Sequence, residues 1–121
     1  MDIVKYLVDN GININDINKK NNNALMIASQ SGHYEIVKYL VDKGAILDEK
    51  DVDGWNALMF ASLYGYINIV KFLVNKGMNV NDKDNNGWNA LMIASQKGYK
   101  DIVKYLYEKG SNINEKNNNG Q

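Results

Sequence analysis

The sequence predicts an all-α solenoid: antiparallel helix pairs joined by hairpin-like turns and stacked in a row. Three observations predict it. Residues 54–62 read GWNALMFAS and residues 87–95 read GWNALMIAS, 33 residues apart. Gly11, Gly44, Gly77 and Gly110 keep the same interval, as do Gly32, Gly65 and Gly98, and Ala24, Ala57 and Ala90. Four amphipathic phrases, DIVKYLVDNG, EIVKYLVDKG, NIVKFLVNKG and DIVKYLYEKG, recur in step with them. A fixed period of this size is the mark of a repeat architecture. It divides a single domain over 1–121 into a partial unit at 1–17, full units at 18–50, 51–83 and 84–116, and a stub at 117–121.

Each unit reads as two short helices. Asn56 and Asn89 suit an N-cap, where a side-chain oxygen accepts from an orphan backbone N–H. Ala57, Leu58, Met59 and Ala61 then form a first helix that ends before Gly65. A second helix runs from about Ile67 to Lys76, with Ile69, Val70, Leu73 and Val74 on one face of a 3.6-residue period. Glu35 and Asp101 sit in first turns, where the helix dipole favours anions. Gly44, Gly77 and Gly110 each follow a lysine and fit the left-handed cap beyond a last turn. Helices of roughly eight to ten residues are unstable alone in water, so each must bury its face against a neighbour. Ala28-Ser29, Ala61-Ser62 and Ala94-Ser95 would let first helices approach closely. The Asp-, Asn- and Gly-rich segments between units, such as 81–88, carry the chemistry of tight turns.

Composition narrows the function classes. Lys+Arg and Asp+Glu are equal at 14 each, and every basic residue is lysine. A balanced surface argues against nucleic acid and anionic membranes, which need clustered cations. Without arginine there is no fork for bidentate phosphate binding. Without cysteine there is neither a disulfide framework nor thiolate chemistry. No apolar run approaches the roughly 20 residues of a membrane span, and the start is a poor signal peptide, so an intracellular, cytoplasmic setting is the default. Asn, Lys, Ile and Tyr supply 54 residues, a skew toward AT-rich codons rather than low complexity, because the Asn clusters keep the register of the repeat.

The unit resembles the ankyrin repeat, D-x-x-G-x-T-P-L-H-x-A-A-x-x-G-H-x-x-I-V-x-x-L-L-x-x-G-A-x-x-N. In the second unit Asp51, Gly54, Leu58, Ala61, Gly65, Ile69, Val70, Leu73, Gly77 and Asn81 fall on that pattern. The resemblance covers essentially the whole chain and implies a non-catalytic protein-binding module. N-A-L-M replaces T-P-L-H, so Met26, Met59 and Met92 stand at the usual histidine position, where a flexible thioether fills the space. Asn21 replaces the turn glycine of the first full unit.

Catalytic and metal chemistry find little support. Asp82, Asp84, Asn86 and Gly87 open like a calcium loop, but its twelfth position holds Ile93 instead of glutamate. The segment at 49–54 fails likewise, with Phe60 at that place. His33 is the only histidine and falls at the glycine–histidine position of the repeat, a structural place. No carboxylate pair stands out as acid and base. No metal or cofactor is expected.

The family varies freely at its hairpin ends and in part of its first helices. By resemblance these positions are Lys19, Lys20, Asn22, Gln30 and Ser31 in the first full unit. In the second they are Val52, Asp53, Trp55, Leu63 and Tyr64, and in the third Asn85, Asn86, Trp88, Gln96 and Lys97. Tryptophan and tyrosine dominate binding hot spots, so Trp55 and Trp88 are candidate contacts. Their exact repetition favours the other reading, a brace between neighbouring hairpins, since binding positions usually differ between units while structural ones recur. Leu63 and Tyr64 discriminate better, because the other units are polar there. The partner expected is another protein. The alternative is a structural spacer, a fragment of a longer array or an engineered scaffold with no natural partner. The chain opens inside a unit, so its uncapped end is expected to fray or self-associate.

Overall fold

The computed structural model describes residues 23–110. Within them lie three helix pairs: α1 (Ala24–Ser31) with α2 (Tyr34–Asp42), α3 (Ala57–Leu63) with α4 (Ile67–Asn75), and α5 (Ala90–Lys97) with α6 (Lys100–Glu108). No strand occurs among the described residues. The expectations placed on the opening partial unit, on Asn21 and on the closing stub lie outside this span.

Asparagine starts every first helix. The side-chain oxygens of Asn23, Asn56 and Asn89 accept from the backbone N–H of Met26, Met59 and Met92 at 2.9, 3.0 and 2.9 Å. Each of these caps is buried, and such a cap contributes about 1 kcal/mol. At the other end the backbone turns left-handed at Gly32, Gly65 and Gly98, with φ of 75°, 81° and 78°. The next N–H, from His33, Tyr66 and Tyr99, returns to the carbonyls of Ala28, Ala61 and Ala94. That reversal sends each second helix back antiparallel to the first.

The core is a row of apolar side chains shared between units. Leu25, Leu58 and Leu91 from the first helices meet Leu40, Leu73 and Leu106 from the second, all essentially inaccessible. First helices pack along the stack more extensively than second helices do. Ala61 and Ser62 permit this, being fully buried, and Ser62 turns its hydroxyl back onto the Leu58 carbonyl at 2.8 Å. Met26 and Met59 fill the interior as the thioether reading expects, while Met92 is half-buried.

The second helices begin without a side-chain cap. At two of these starts a ring bridges units. A Cβ built on Gly32 would lie 2.6 Å from the Tyr66 ring, and one built on Gly65 would lie 3.0 Å from the Tyr99 ring. Each glycine thus seats the tyrosine of the following unit. Gly98 has the same left-handed backbone, but no atom of the described residues lies within 4 Å of a built Cβ.

This triplet separates backbone strain from ring contact. Gly98→Ala bears only the cost of a left-handed alanine, about 1 kcal/mol. Gly65→Ala bears that cost plus crowding of the Tyr99 ring, about another 1 kcal/mol or more. Urea denaturation should therefore rank Gly65→Ala as clearly more destabilising than Gly98→Ala. Equal losses would refute the glycine–tyrosine seat.

Candidate partner-binding surface

The hairpins between units are built around one aspartate each. In the turn at 51–55, the Asp51 N–H donates to the Trp55 carbonyl at 2.9 Å, and Gly54 N–H donates to the Asp51 carbonyl at 3.0 Å. One Asp51 carboxylate oxygen accepts from the backbone N–H groups of both Asp53 and Trp55. Asp84 repeats this with Asn86 and Trp88 at 2.8 and 2.9 Å. A carboxylate that closes the turn from inside is why aspartate opens these segments.

Neighbouring hairpins are then tied together. Asn85 donates its backbone N–H to the Asp53 carbonyl at 3.0 Å and its side-chain amide to the Val52 carbonyl at 2.9 Å. Lys50 Nζ reaches the Lys83 carbonyl at 3.1 Å. The Trp55 indole N–H donates to the second carboxylate oxygen of Asp84 at 3.0 Å. Gly54 is required by this closeness as well as by its φ of 80°, since a Cβ there would sit 2.8 Å from the Asn85 nitrogen. Asp84, read from sequence as part of a calcium-like opening, has both oxygens engaged in the turn and the tie.

Five of the expected contact residues share one cleft. Asp53, Trp55, Leu63, Asn85 and Asn86, with Asp51 and Phe60, line an open groove of about 390 Å³ between the two hairpins. Its aromatic wall is Trp55 against Phe60, with ring centroids 5.1 Å apart. Tyr64 caps α3 and is 50 % exposed beside Tyr66, and Val52 is 52 % exposed at the hairpin tip. Trp88 is half-buried. Gln30, Ser31, Gln96 and Lys97 lie at the ends of α1 and α5, outside the groove, and Asn22, Lys19 and Lys20 lie outside the described residues.

Sequence reasoning missed the parts played by Asp51, Asp84, Asn85 and Phe60. The signal was present for the first two, in the D-x-x-G-W phrase repeated at 51–55 and 84–88. Phe60 left none, because isoleucine fills its place in the other units.

Helix pairs that share one core and chain their hairpins together define a repeat solenoid, a class that offers an extended surface to other molecules. The chain belongs to the ankyrin repeat family: a family model described as ankyrin repeats (3 copies) matches residues 1–51 and 45–117. No curated protein matches it. Ankyrin repeats generally mediate protein–protein interaction, and the family is typically non-catalytic. No helix among the described residues is long and apolar enough to cross a membrane.

Asp84→Asn keeps the oxygen that closes the turn but sets an amide N–H₂ against the Trp55 indole N–H. Losing that one tie should cost about 1 kcal/mol. Asp84→Ala removes the turn acceptors too and should cost about 2 kcal/mol or more. Chemical denaturation followed by tryptophan fluorescence checks this order; an Asp84→Asn variant as stable as the parent would show that the indole tie contributes nothing, and equal costs for the two variants that the turn acceptors add nothing beyond it.

Proposed function

We propose that this chain is a non-catalytic protein-binding module. One domain over 1–121 meets its partner through the hairpin tips and first helices of the second and third full units. The observation that carries this reading is a break in the repeat. Val52, Leu63 and Tyr64 are apolar where the other units place Lys19 and Asn85, Gln30 and Gln96, and Ser31 and Lys97. Stacking demands none of the three, since the third full unit stacks with Asn85, Gln96 and Lys97 in their places. Exposed apolar side chains beside a groove with an aromatic wall are suited to burial by a partner. The groove belongs to units already held in place by their core, so little ordering accompanies binding.

A second reading rests on Trp55. Its indole is committed to Asp84, which is what a brace between hairpins would do. On that reading the chain is a spacer or scaffold, and the tryptophans serve stability alone.

The test compares the chain with a Leu63→Ala/Tyr64→Ala variant in a quantitative pull-down from the source organism's lysate. Each truncated hot-spot contact costs about 1 kcal/mol or more in affinity, so the double variant should lose about thirtyfold. Its thermal midpoint should move little. A protein held by the parent and lost by the folded variant supports the binding surface. Equal retention by both moves the surface elsewhere, and retention by neither favours the scaffold.

A further inference from the structure

The second full unit breaks the repeat at two further places, and both fall in the groove between the hairpins. Asp53 stands where the first unit has Lys20 and the third has Asn86, and Phe60 where they have Ile27 and Ile93. The turn does not require the first of these. The hairpin at 84–88 closes in the same way with Asn86, whose backbone N–H meets the Asp84 carboxylate. Asp53 is exposed and is held by its backbone, its N–H donating to Asp51 and its carbonyl accepting from Asn85, so its carboxylate takes no part in the turn. Nor does the stack require a ring at 60, since Ile93 is buried at the equivalent place in α5. Phe60 is instead half-buried and forms groove wall.

Charge is divided between the elements in the same sense. The hairpin segments 45–55 and 78–88 carry Asp48, Glu49, Asp51, Asp53, Asp82 and Asp84 against Lys50 and Lys83. The second helices with their closing residues, 34–44, 67–77 and 100–110, carry seven lysines against four carboxylates. A chain of zero formal net charge thus has acidic hairpins. In the groove itself Asp51 and Asp53 stand with Trp55 and Phe60, and among the described residues no lysine lines it. The two rings meet at 46°, so they form two tilted walls rather than one flat one.

We propose that this groove receives an arginine or lysine side chain carried on a basic segment of the partner. The inference deepens the binding reading above and rests on it. Aromatic rings attract a cation through the negative faces of their π systems. The aliphatic stem of such a side chain has Leu63 to lie against, while its charged head meets the carboxylates. Acidic residues on both hairpins add a field that draws a cationic partner in and sets its orientation. Other occupants fit worse. An apolar side chain would cover Asp53 without giving its carboxylate a partner, and an anionic one would meet like charge from both hairpins. Turn closure accounts for Asp51 and Asp84, but a cation accounts for Asp53 and Phe60 together.

The probe is a peptide of alternating glycine and arginine, set against the same peptide with citrulline, which keeps the shape and removes the charge. Each is titrated into the full chain and followed by NMR. The arginine peptide should shift the Trp55 indole N–H and the Asp53 and Asn86 amides, and the citrulline peptide should not. Asp53→Asn copies the third unit and keeps the turn, and Phe60→Ile copies both other units. Each variant should bind the arginine peptide about threefold more weakly, the size of one exposed ion pair or one cation–π contact. No shift at the Trp55 indole, equal shifts by both peptides, or binding that neither variant weakens would overturn the proposal. The pull-down described above separates this failure from failure of the binding surface. A protein retained in full by Asp53→Asn but lost by Leu63→Ala/Tyr64→Ala would leave that surface standing and remove the cation from it.

Discussion

No helix described here exceeds nine residues, and helices that short do not persist in water by themselves. Everything else in the molecule answers to that constraint. Each pair must find apolar surface on the pair before it and the pair after it, so the structure depends on the interface between units more than on any unit. The residues at that interface are small where first helices meet and ring-shaped where second helices begin. Ala61 and Ser62 let α3 approach its neighbours, and the bare backbone of Gly65 admits Tyr99. Enlarging either contact would push apart two units at once, because packed interiors have little slack.

Stacking also explains how the hairpins are made. A turn at each unit boundary leaves backbone groups that no helix can satisfy, and a turn standing alone would leave them to water. Here one carboxylate closes each turn, and between the hairpins at 51–55 and 84–88 partners are exchanged in both directions, Asn85 donating to the Val52 and Asp53 carbonyls while Asp84 accepts from Trp55. Asp84 acts in both capacities, closing its own turn with one oxygen and receiving the Trp55 indole with the other. Trp55 is therefore part of the framework at its polar end and part of the groove along its ring. The two sequence readings of this residue, contact or brace, describe different atoms of one side chain.

Much of the fold was legible because each unit repeats the same physical problem. The asparagine caps, the left-handed glycines and the apolar face from Ile69 to Leu73 follow from local rules, and three copies of each rule reinforce one another. What escaped was what depends on the neighbour. Nothing in the letters of Gly32 or Gly65 says that a ring occupies the missing side chain, since a C-terminal glycine is already explained by its φ. Likewise Asp84 read as a turn residue, and its indole partner 29 residues earlier has no local signature. Phe60 became part of the groove only through Trp55, a pairing that its own spacing does not announce.

Periodicity sorts the surface into two kinds of site, and it does so with opposite signs. Where a residue recurs in every unit, stacking demands it, and the contact it makes is one between units. Gly32 and Gly65 are that case: each has a left-handed backbone and seats a tyrosine ring of the following unit. Where a residue breaks the repeat, stacking does not account for it, and exposure of an apolar side chain then calls for another cause. Val52 and Tyr64 are that case, with the half-buried Leu63 beside them in the groove wall. The first kind of site holds a ring of the neighbouring unit, because its shape was set by copies of the same unit. The second is free of that restriction, since its side chains are peculiar to one unit and complement no other part of the stack.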